Sequence, residues 1–253
     1  MPTLNVIDSG SSGNCYHIKR NNMHIFVDIG ISRYRVDNVL SENSIQNDKI
    51  LLFITHEHND HISGIVPFLN RYKPIVFASE GTADVLKRKG INVSDFYILC
   101  KDRIYDFEDI SVHPFQIMHD GAEPLGYHFT FDDKSITFAT DLGHAPVHIE
   151  EYLAMSDLGV LESNYEEELL KNGKYPEYLK KRILSSKGHL SNKEALNIAA
   201  KLSGNRIKKL LFAHVSEENN DYGILEKYSN FATKNFGFET SFLRQNCKYG
   251  IDF

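Results

Sequence analysis

The stretch Ile50-Leu51-Leu52-Phe53-Ile54-Thr55-His56-Glu57-His58-Asn59-Asp60-His61 decides how this chain is read. Five apolar residues in a row, bounded by polar sequence, have the pattern of a buried β-strand. Directly after them come three imidazoles and a carboxylate in the spacing H-x-H-x-D-H. Neither a strand nor a helix points all four side chains one way, whereas a tight loop aims alternate side chains at two adjacent points. Strand ends are rigid places from which a loop can present ligands. Borderline divalent cations accept imidazole nitrogen and carboxylate oxygen together, so the spacing predicts that His56 and His58 bind one ion and Asp60 and His61 another.

Upstream of this cluster, β-rich runs at 4–8, 15–19 and 24–28 are separated by a Gly/Ser turn and by Asn21-Asn22, which predicts successive hairpins. Downstream, helix-length patterns at 61–71 and 81–89 alternate with strands at 75–78 and 96–99. The second half repeats the style without repeating the sequence. Strands are expected at 110–117, 126–131, 135–139, 158–161 and 209–213, and helices at 147–155, 176–184, 192–202 and 222–235. No Pro/Gly/Ser-rich linker or internal period interrupts this course, which predicts one domain over residues 1–253 with two mixed sheets and helices outside.

A complete two-metal site needs more ligands, and three later strand ends offer them: His119, Asp141 and His214. His189 lies in a polar loop just ahead of a helix whose N-cap is Ser191 or Asn192, with Glu194 in the first turn. That placement suits a histidine that touches a substrate phosphate or protonates a leaving oxygen. The alternative is a loop histidine bonded to backbone carbonyls. Glu162, ending an apolar strand, stands near the metals, holds His189 in one tautomer, or serves ordinary structural hydrogen bonding. The run Ser9-Gly10-Ser11-Ser12-Gly13-Asn14 is either a plain turn or a nest whose Ser11, Ser12 and Asn14 meet a phosphate. The basic residues of 171–187, with Lys180-Lys181-Arg182 at their centre, read as a track for a nucleic-acid backbone or as a solvated helix face.

The bulk properties narrow the class. A chain of 253 residues with 42% apolar content buries a sizeable core and is not disordered. Its formal net charge of −6 advertises neither nucleic acid nor an anionic membrane. Three scattered cysteines, Cys15, Cys100 and Cys247, make neither a disulfide framework nor a thiolate metal site, and a reducing cytoplasm fits them. The polar opening Met1-Pro2-Thr3 has no basic n-region, so no export signal is expected, and no apolar run approaches the roughly 18 residues of a membrane span. Metal identity and oligomeric state stay open at this point.

The cluster and its later His, Asp and His resemble the metallo-β-lactamase superfamily. That resemblance implies an αββα four-layer sandwich with two mixed β-sheets flanked by helices, a first ion on His56, His58 and His119, a second on Asp60, His61 and His214, and Asp141 as the bridge. It further implies that Asp28, which otherwise reads as a strand-capping residue, steadies the histidine loop. Asp60 and His189 are the expected catalytic residues. Further motifs run nearly end to end: Ser9-Gly10-Ser11-Ser12-Gly13-Asn14, His119-Asp120, Glu123-Pro124-Leu125-Gly126-Tyr127, Asp141-Leu142-Gly143, Leu161-Glu162-Ser163-Asn164, Gly188-His189-Leu190-Ser191-Asn192 and His214-Val215-Ser216-Glu217-Glu218-Asn219-Asn220. Together they look like the WalJ/YycJ group of that superfamily.

This resemblance implies a manganese-supported DNA exonuclease acting from 5′ ends, with DNA as substrate and mismatch-repair proteins as partners. The cofactors would be two divalent transition-metal ions, manganese or zinc, with iron also accommodated. One departure stands: where this group has Asn-His-Asp after Glu-Ser, the chain reads Asn164-Tyr165-Glu166. The rival readings are a thioester or lactam hydrolase on the same metals, a diiron redox protein, which would add a flavin domain, and a non-catalytic metal-binding partner protein.

Overall fold

The structure, a computed structural model, describes residues 1–40, 48–91 and 96–253. The chain opens with an antiparallel meander of β1 (Thr3–Asp8), β2 (Cys15–Arg20) and β3 (Met23–Val27). Asn21 turns β2 into β3 with φ at 48°, a left-handed value that asparagine tolerates. After α1 (Arg33–Leu40) the connections become crossovers. β4 (Lys49–Phe53) lies parallel to β3, α2 (Asn59–Ile62) and α3 (Ile65–Tyr72) lead to β5 (Ile75–Ala78), and α4 (Glu80–Arg88) leads to β6 (Phe96–Ile98). The single helix expected at 61–71 is divided into α2 and α3, because the Gly64 N–H leaves the helical ladder for the Ile29 carbonyl at 2.9 Å.

The later part has the same plan. β7 (Tyr105–Phe107) and β8 (Ile110–Gln116) form an antiparallel pair, as do β9 (Leu125–Phe131) and β10 (Lys134–Ala139). Then α5 (Val147–Ala154), β11 (Leu158–Glu162), α6 (Glu167–Asn172), α7 (Glu177–Ile183), α8 (Asn192–Lys201), β12 (Lys209–Ala213), α9 (Tyr222–Phe236) and β13 (Glu239–Phe242) follow, with β10 through β13 parallel. β14 (Tyr249–Asp252) returns to pair antiparallel with β1. Four short elements, β7, α6, β13 and β14, escape the sequence pattern, since three to six residues carry too little periodicity to register.

Among the described residues these elements form two compact units. One comprises Met1–Arg103, Gly121–Leu125 and Gln245–Phe253, the other Ile104–Asp120 and Gly126–Arg244. Each holds a seven-stranded mixed sheet flanked by helices, in the orders β14-β1-β2-β3-β4-β5-β6 and β13-β12-β11-β10-β9-β8-β7. The inner parallel strands, such as β4 and β11, read as continuous apolar runs because both faces are covered. In the first unit Phe26, Leu52, Phe68, Val76 and Leu86 share one core. In the second, Phe115, Leu153, Leu161, Ile198 and Leu210 share another. Truncating any of these to alanine costs roughly 2–5 kcal/mol. The start of α8 is built as the sequence suggests, with Ser191 and Glu194 in a reciprocal capping box, and Asp221 caps α9. No helix among the described residues is long and apolar enough to cross a membrane.

Candidate functional site

In the first unit the functional loop leaves the end of β4 and turns at once into α2. The His56 and His61 ring centroids are 4.1 Å apart, His56 Nε2 lies 3.0 Å from His58 Nδ1, and His61 Nε2 lies 3.5 Å from Asp60 Oδ2. The four donors predicted from the H-x-H-x-D-H spacing therefore gather. Glu57 turns aside: its Oε1 accepts the Ala122 N–H at 2.8 Å.

Asp28 anchors the loop. Its carboxylate accepts the Thr55 N–H at 2.8 Å, the Thr55 hydroxyl at 2.7 Å and His61 Nδ1–H at 2.7 Å. With Nδ1 so engaged, Nε2 is the His61 atom offered as a ligand, which is the role that suits a residue standing behind a metal ligand. Burial pushes the Asp28 carboxyl up from its ordinary value, and His61 and Thr55 oppose that rise. Thr55 is a participant that the sequence reading misses, although it sits immediately ahead of the cluster; its hydroxyl also lies 3.0 Å from His56 Nδ1. Gly30 is required by close approach, since a Cβ there would lie 1.6 Å from the Asp60 carbonyl.

Asn14 joins this loop: its N–H donates to the Asp60 carbonyl at 2.7 Å, and its side-chain nitrogen lies 3.1 Å from His61 Nε2. In the Ser9-to-Asn14 turn, the N–H groups of Ser9, Gly10 and Gly13 all donate within the turn or to Asp8. Ser11 and Ser12 are exposed, and the Ser12 hydroxyl donates to Gln245 Oε1 at 2.7 Å.

The second unit gathers its donors from separate strand ends. Asp141, Glu162, His189 and His214 each bring one ligand atom to within 4.8 Å of the others. Glu162 is the hub: its Oε1 accepts from His189 Nδ1 and His214 Nδ1, both at 2.8 Å, while Oε2 accepts the N–H groups of Leu142 and Leu190. Burial by itself would push this carboxyl up, but the charge of His189 and the hydrogen bonds from His189 and His214 hold it below its ordinary range. Asp141 Oδ1 is 3.2 Å from His214 Nδ1. His119 Nδ1–H donates to the Gly188 carbonyl at 3.0 Å, and Nε2 lies 4.0 Å from Asp141 Oδ1. Asn164 is a second residue the sequence reading leaves without a role. Its amide donates to the His214 carbonyl at 2.7 Å, and its own backbone bonds to Leu190 and Ser216.

Asp28, Asp141 and His214 share an unusual backbone, with φ of 60°, 59° and 54°. Left-handed geometry at non-glycine residues costs energy and persists where surrounding contacts over-determine it, a condition typical of functional sites. The donors are imidazoles and carboxylates without thiolate, buried or half-buried and close together within each unit, and such a set fits hard-to-borderline divalent ions.

A family model described as a β-lactamase superfamily domain matches residues 40–215. The chain belongs to the metallo-β-lactamase superfamily, and it is a metal-dependent hydrolase. Its relatives narrow the group. Over 220 residues, 85% of this chain and 82% of the relative, it is 33% identical to Exodeoxyribonuclease WalJ of Streptococcus pneumoniae serotype 2. It is 31% identical over 220 residues to Exodeoxyribonuclease YycJ of Bacillus anthracis, covering 86% of this chain and 83% of that one. The solved metallo-β-lactamase fold protein YhfI from Bacillus subtilis matches with a TM-score of 0.74 at 14% identity, over 99% of each chain. That likeness carries the fold, two mixed sheets flanked by helices, and nothing further.

Proposed function

We propose that this protein is a metal-dependent deoxyribonuclease that removes nucleotides from DNA in the 5′-to-3′ direction, serves mismatch repair in the cytoplasm, and acts as one catalytic domain over residues 1–253. The observation that carries the reading is the identity of 31% to 33% with two exodeoxyribonucleases along some 85% of the chain. In this reading His56, His58 and His119 hold one divalent ion and Asp60, His61 and His214 a second, with Asp141 shared and manganese or zinc the metal. When bound, such ions supply Lewis acidity at the phosphodiester and a nucleophile near neutral pH.

The side chains supply positioning and the proton. Glu162 fixes His189 with Nδ1–H toward the carboxylate at 2.8 Å, so Nε2 is the nitrogen that gives a proton to the departing sugar oxygen. The Glu162 carboxylate also stabilises the imidazolium before that transfer. Asp60 stands at the tip of its loop with a quarter of its side chain exposed, where it orients the attacking group. Ser11 and, on giving up its bond to Gln245, Ser12 offer hydroxyls to a substrate phosphate.

The test uses chelator-treated protein restored with Mn²⁺, Mg²⁺ or Zn²⁺, given single-stranded and duplex DNA and RNA labelled at either end. Mononucleotide release from the 5′ end of DNA, restored by Mn²⁺, is the expected result, and disruption of the gene should raise the spontaneous mutation frequency. Robust lactam or thioester turnover with no phosphodiesterase activity in any metal would contradict the reading.

A further inference from the structure

Residues 171–187 carry six cations, Lys171, Lys174, Lys180, Lys181, Arg182 and Lys187, against the single acid Glu177, within a chain of net charge −6. Two of the six are committed. Arg182 grips the Asp120 carboxylate at 2.6 and 3.1 Å, and Lys180 pairs with Glu177 at 3.2 Å. Lys171, Lys174, Lys181 and Lys187, together with Lys193 on the first turn of α8, are exposed and form no ion pair among the described residues. Elsewhere lysines such as Lys19, Lys201 and Lys209 are paired with carboxylates.

Three of these uncommitted charges, Lys171, Lys181 and Lys193, stand on the walls of a cavity of about 600 Å³ bordered by α6, α7 and α8, with Leu184 and Tyr165 supplying apolar surface. That volume lies in the range of small-ligand sites. Glutamates line it as well, yet Glu194 is held in the capping box and Glu177 by Lys180, while Glu167 and Glu168 stand on the first turn of α6, where they offset its dipole. Beside the cavity, Tyr178 is 76% exposed on α7, three residues before Lys181 and so on the same side of the helix. An aromatic ring presented to solvent among lysines is the arrangement on which unpaired bases stack.

The surface is tied to the catalytic histidine. The His189 N–H donates to the Ile183 carbonyl at the end of α7 at 3.0 Å, and a Cβ on Gly188 would lie 2.1 Å from that same oxygen, so the loop lies flat on the helix end. Arg182 holds the residue that follows His119.

We infer that α6, α7 and the first turn of α8 form a track for a single DNA strand, with phosphates on Lys171, Lys181 and Lys193 and a base stacked on Tyr178, leading the strand to His189. The inference rests on the nuclease reading. A single strand is specified because Tyr178 can stack only on a base whose face is open.

The test compares metal-loaded full-length protein with the triple variant Lys171→Ala, Lys181→Ala, Lys193→Ala, with its Lys→Arg counterpart, and with Tyr178→Ala. Each is assayed on a single-stranded oligodeoxynucleotide and on bis(p-nitrophenyl) phosphate, which is too small to reach the track. For the triple Ala variant we expect the KM for the oligonucleotide to rise roughly 10- to 100-fold relative to that for the small diester, and the slope of log KM against log salt to fall by about 2, with both restored by arginine. Tyr178→Ala should raise the relative KM by roughly 5- to 100-fold. An unchanged KM and salt slope in a protein whose wild type degrades DNA would overturn the track alone. Equal losses on both substrates would assign the lysines to the fold or the site and overturn it too. A wild type that degrades no DNA in any metal would overturn the nuclease reading and the track with it.

Discussion

In the first unit four candidate donors, His56, His58, Asp60 and His61, leave one loop after β4; in the second, His119, Asp141, Glu162, His189 and His214 come from five separate places along the chain. The two units share a strand plan, an antiparallel half followed by parallel strands, so the difference lies in how donors are supported. The loop of the first unit is propped from behind by Asp28, which bonds to Thr55 and His61 together. In the second unit His189 and His214 are held together through the buried carboxylate of Glu162, while His119 is held by the Gly188 carbonyl. A propped loop responds as a whole when its prop is weakened, whereas a mutually bonded set allows one member to be removed while others stay.

The sharpest break of this contrast is Asp141→Asn in the second unit. In the two-ion arrangement proposed above, an amide cannot supply the charge that offsets two adjacent dications, so the variant should lose at least one bound ion per chain and nearly all hydrolysis. Elemental analysis checks it, and full occupancy would remove Asp141 from the ligand set. Next in size is His189→Ala, which should keep its metals and slow single-turnover cleavage by roughly 10² to 10⁴. Metal loss in that variant would make His189 a ligand; full activity would make it a loop residue.

A smaller effect is expected from Asp28→Asn. Weakening the acceptor behind a ligand lowers metal affinity by roughly 10- to 100-fold, and here the change should reach Thr55 and His61 at once. Competition with a chromophoric chelator measures it, and an unchanged affinity would contradict the propped-loop account.

The smallest effect concerns stability in acid. Burial lowers the pKa of His17, in the first unit, to about 3 and that of His128, in the second, to about 4, with neighbouring positive groups adding to the effect. The unfolded chain takes up these protons near the ordinary histidine value of about 6.5. Between that pH and 3 to 4 the unfolded state therefore binds more protons, and stability falls as pH drops, by up to about 1.4 kcal/mol per pH unit for each histidine. Denaturant titrations at pH 7, 6 and 5 should show the decline, and His128→Gln should make it shallower. A flat profile would mean that these rings are protonated in the folded protein.

The same contrast explains what is legible in the sequence. Three imidazoles and a carboxylate within six residues announce the first unit's loop, because local spacing alone forces them together. His119, Asp141 and His214 are visible only as polar residues at the ends of apolar strands. The roles of Glu162 and His189 stay open at that level because their bond spans 27 positions, a contact no local pattern encodes. Thr55 and Asn164 act through a hydroxyl and an amide that any loop could contain. The departure at Asn164-Tyr165-Glu166 acquires a physical account: Tyr165 joins the Leu170 and Ile183 cluster, and Glu166 accepts the Asn192 amide at 3.0 Å. Strands of three or four residues, such as β7 and β13, are set by pairing with a neighbour rather than by their own periodicity.

The central claim, that these donors make a metal-dependent hydrolase, is tested most directly by counting ions. Chelator-treated full-length protein is dialysed to equilibrium against Mn²⁺ or Zn²⁺ and submitted to elemental analysis beside Asp141→Asn. The account predicts close to two ions per wild-type chain and fewer in the variant. A wild type that binds no transition metal under either condition would contradict it.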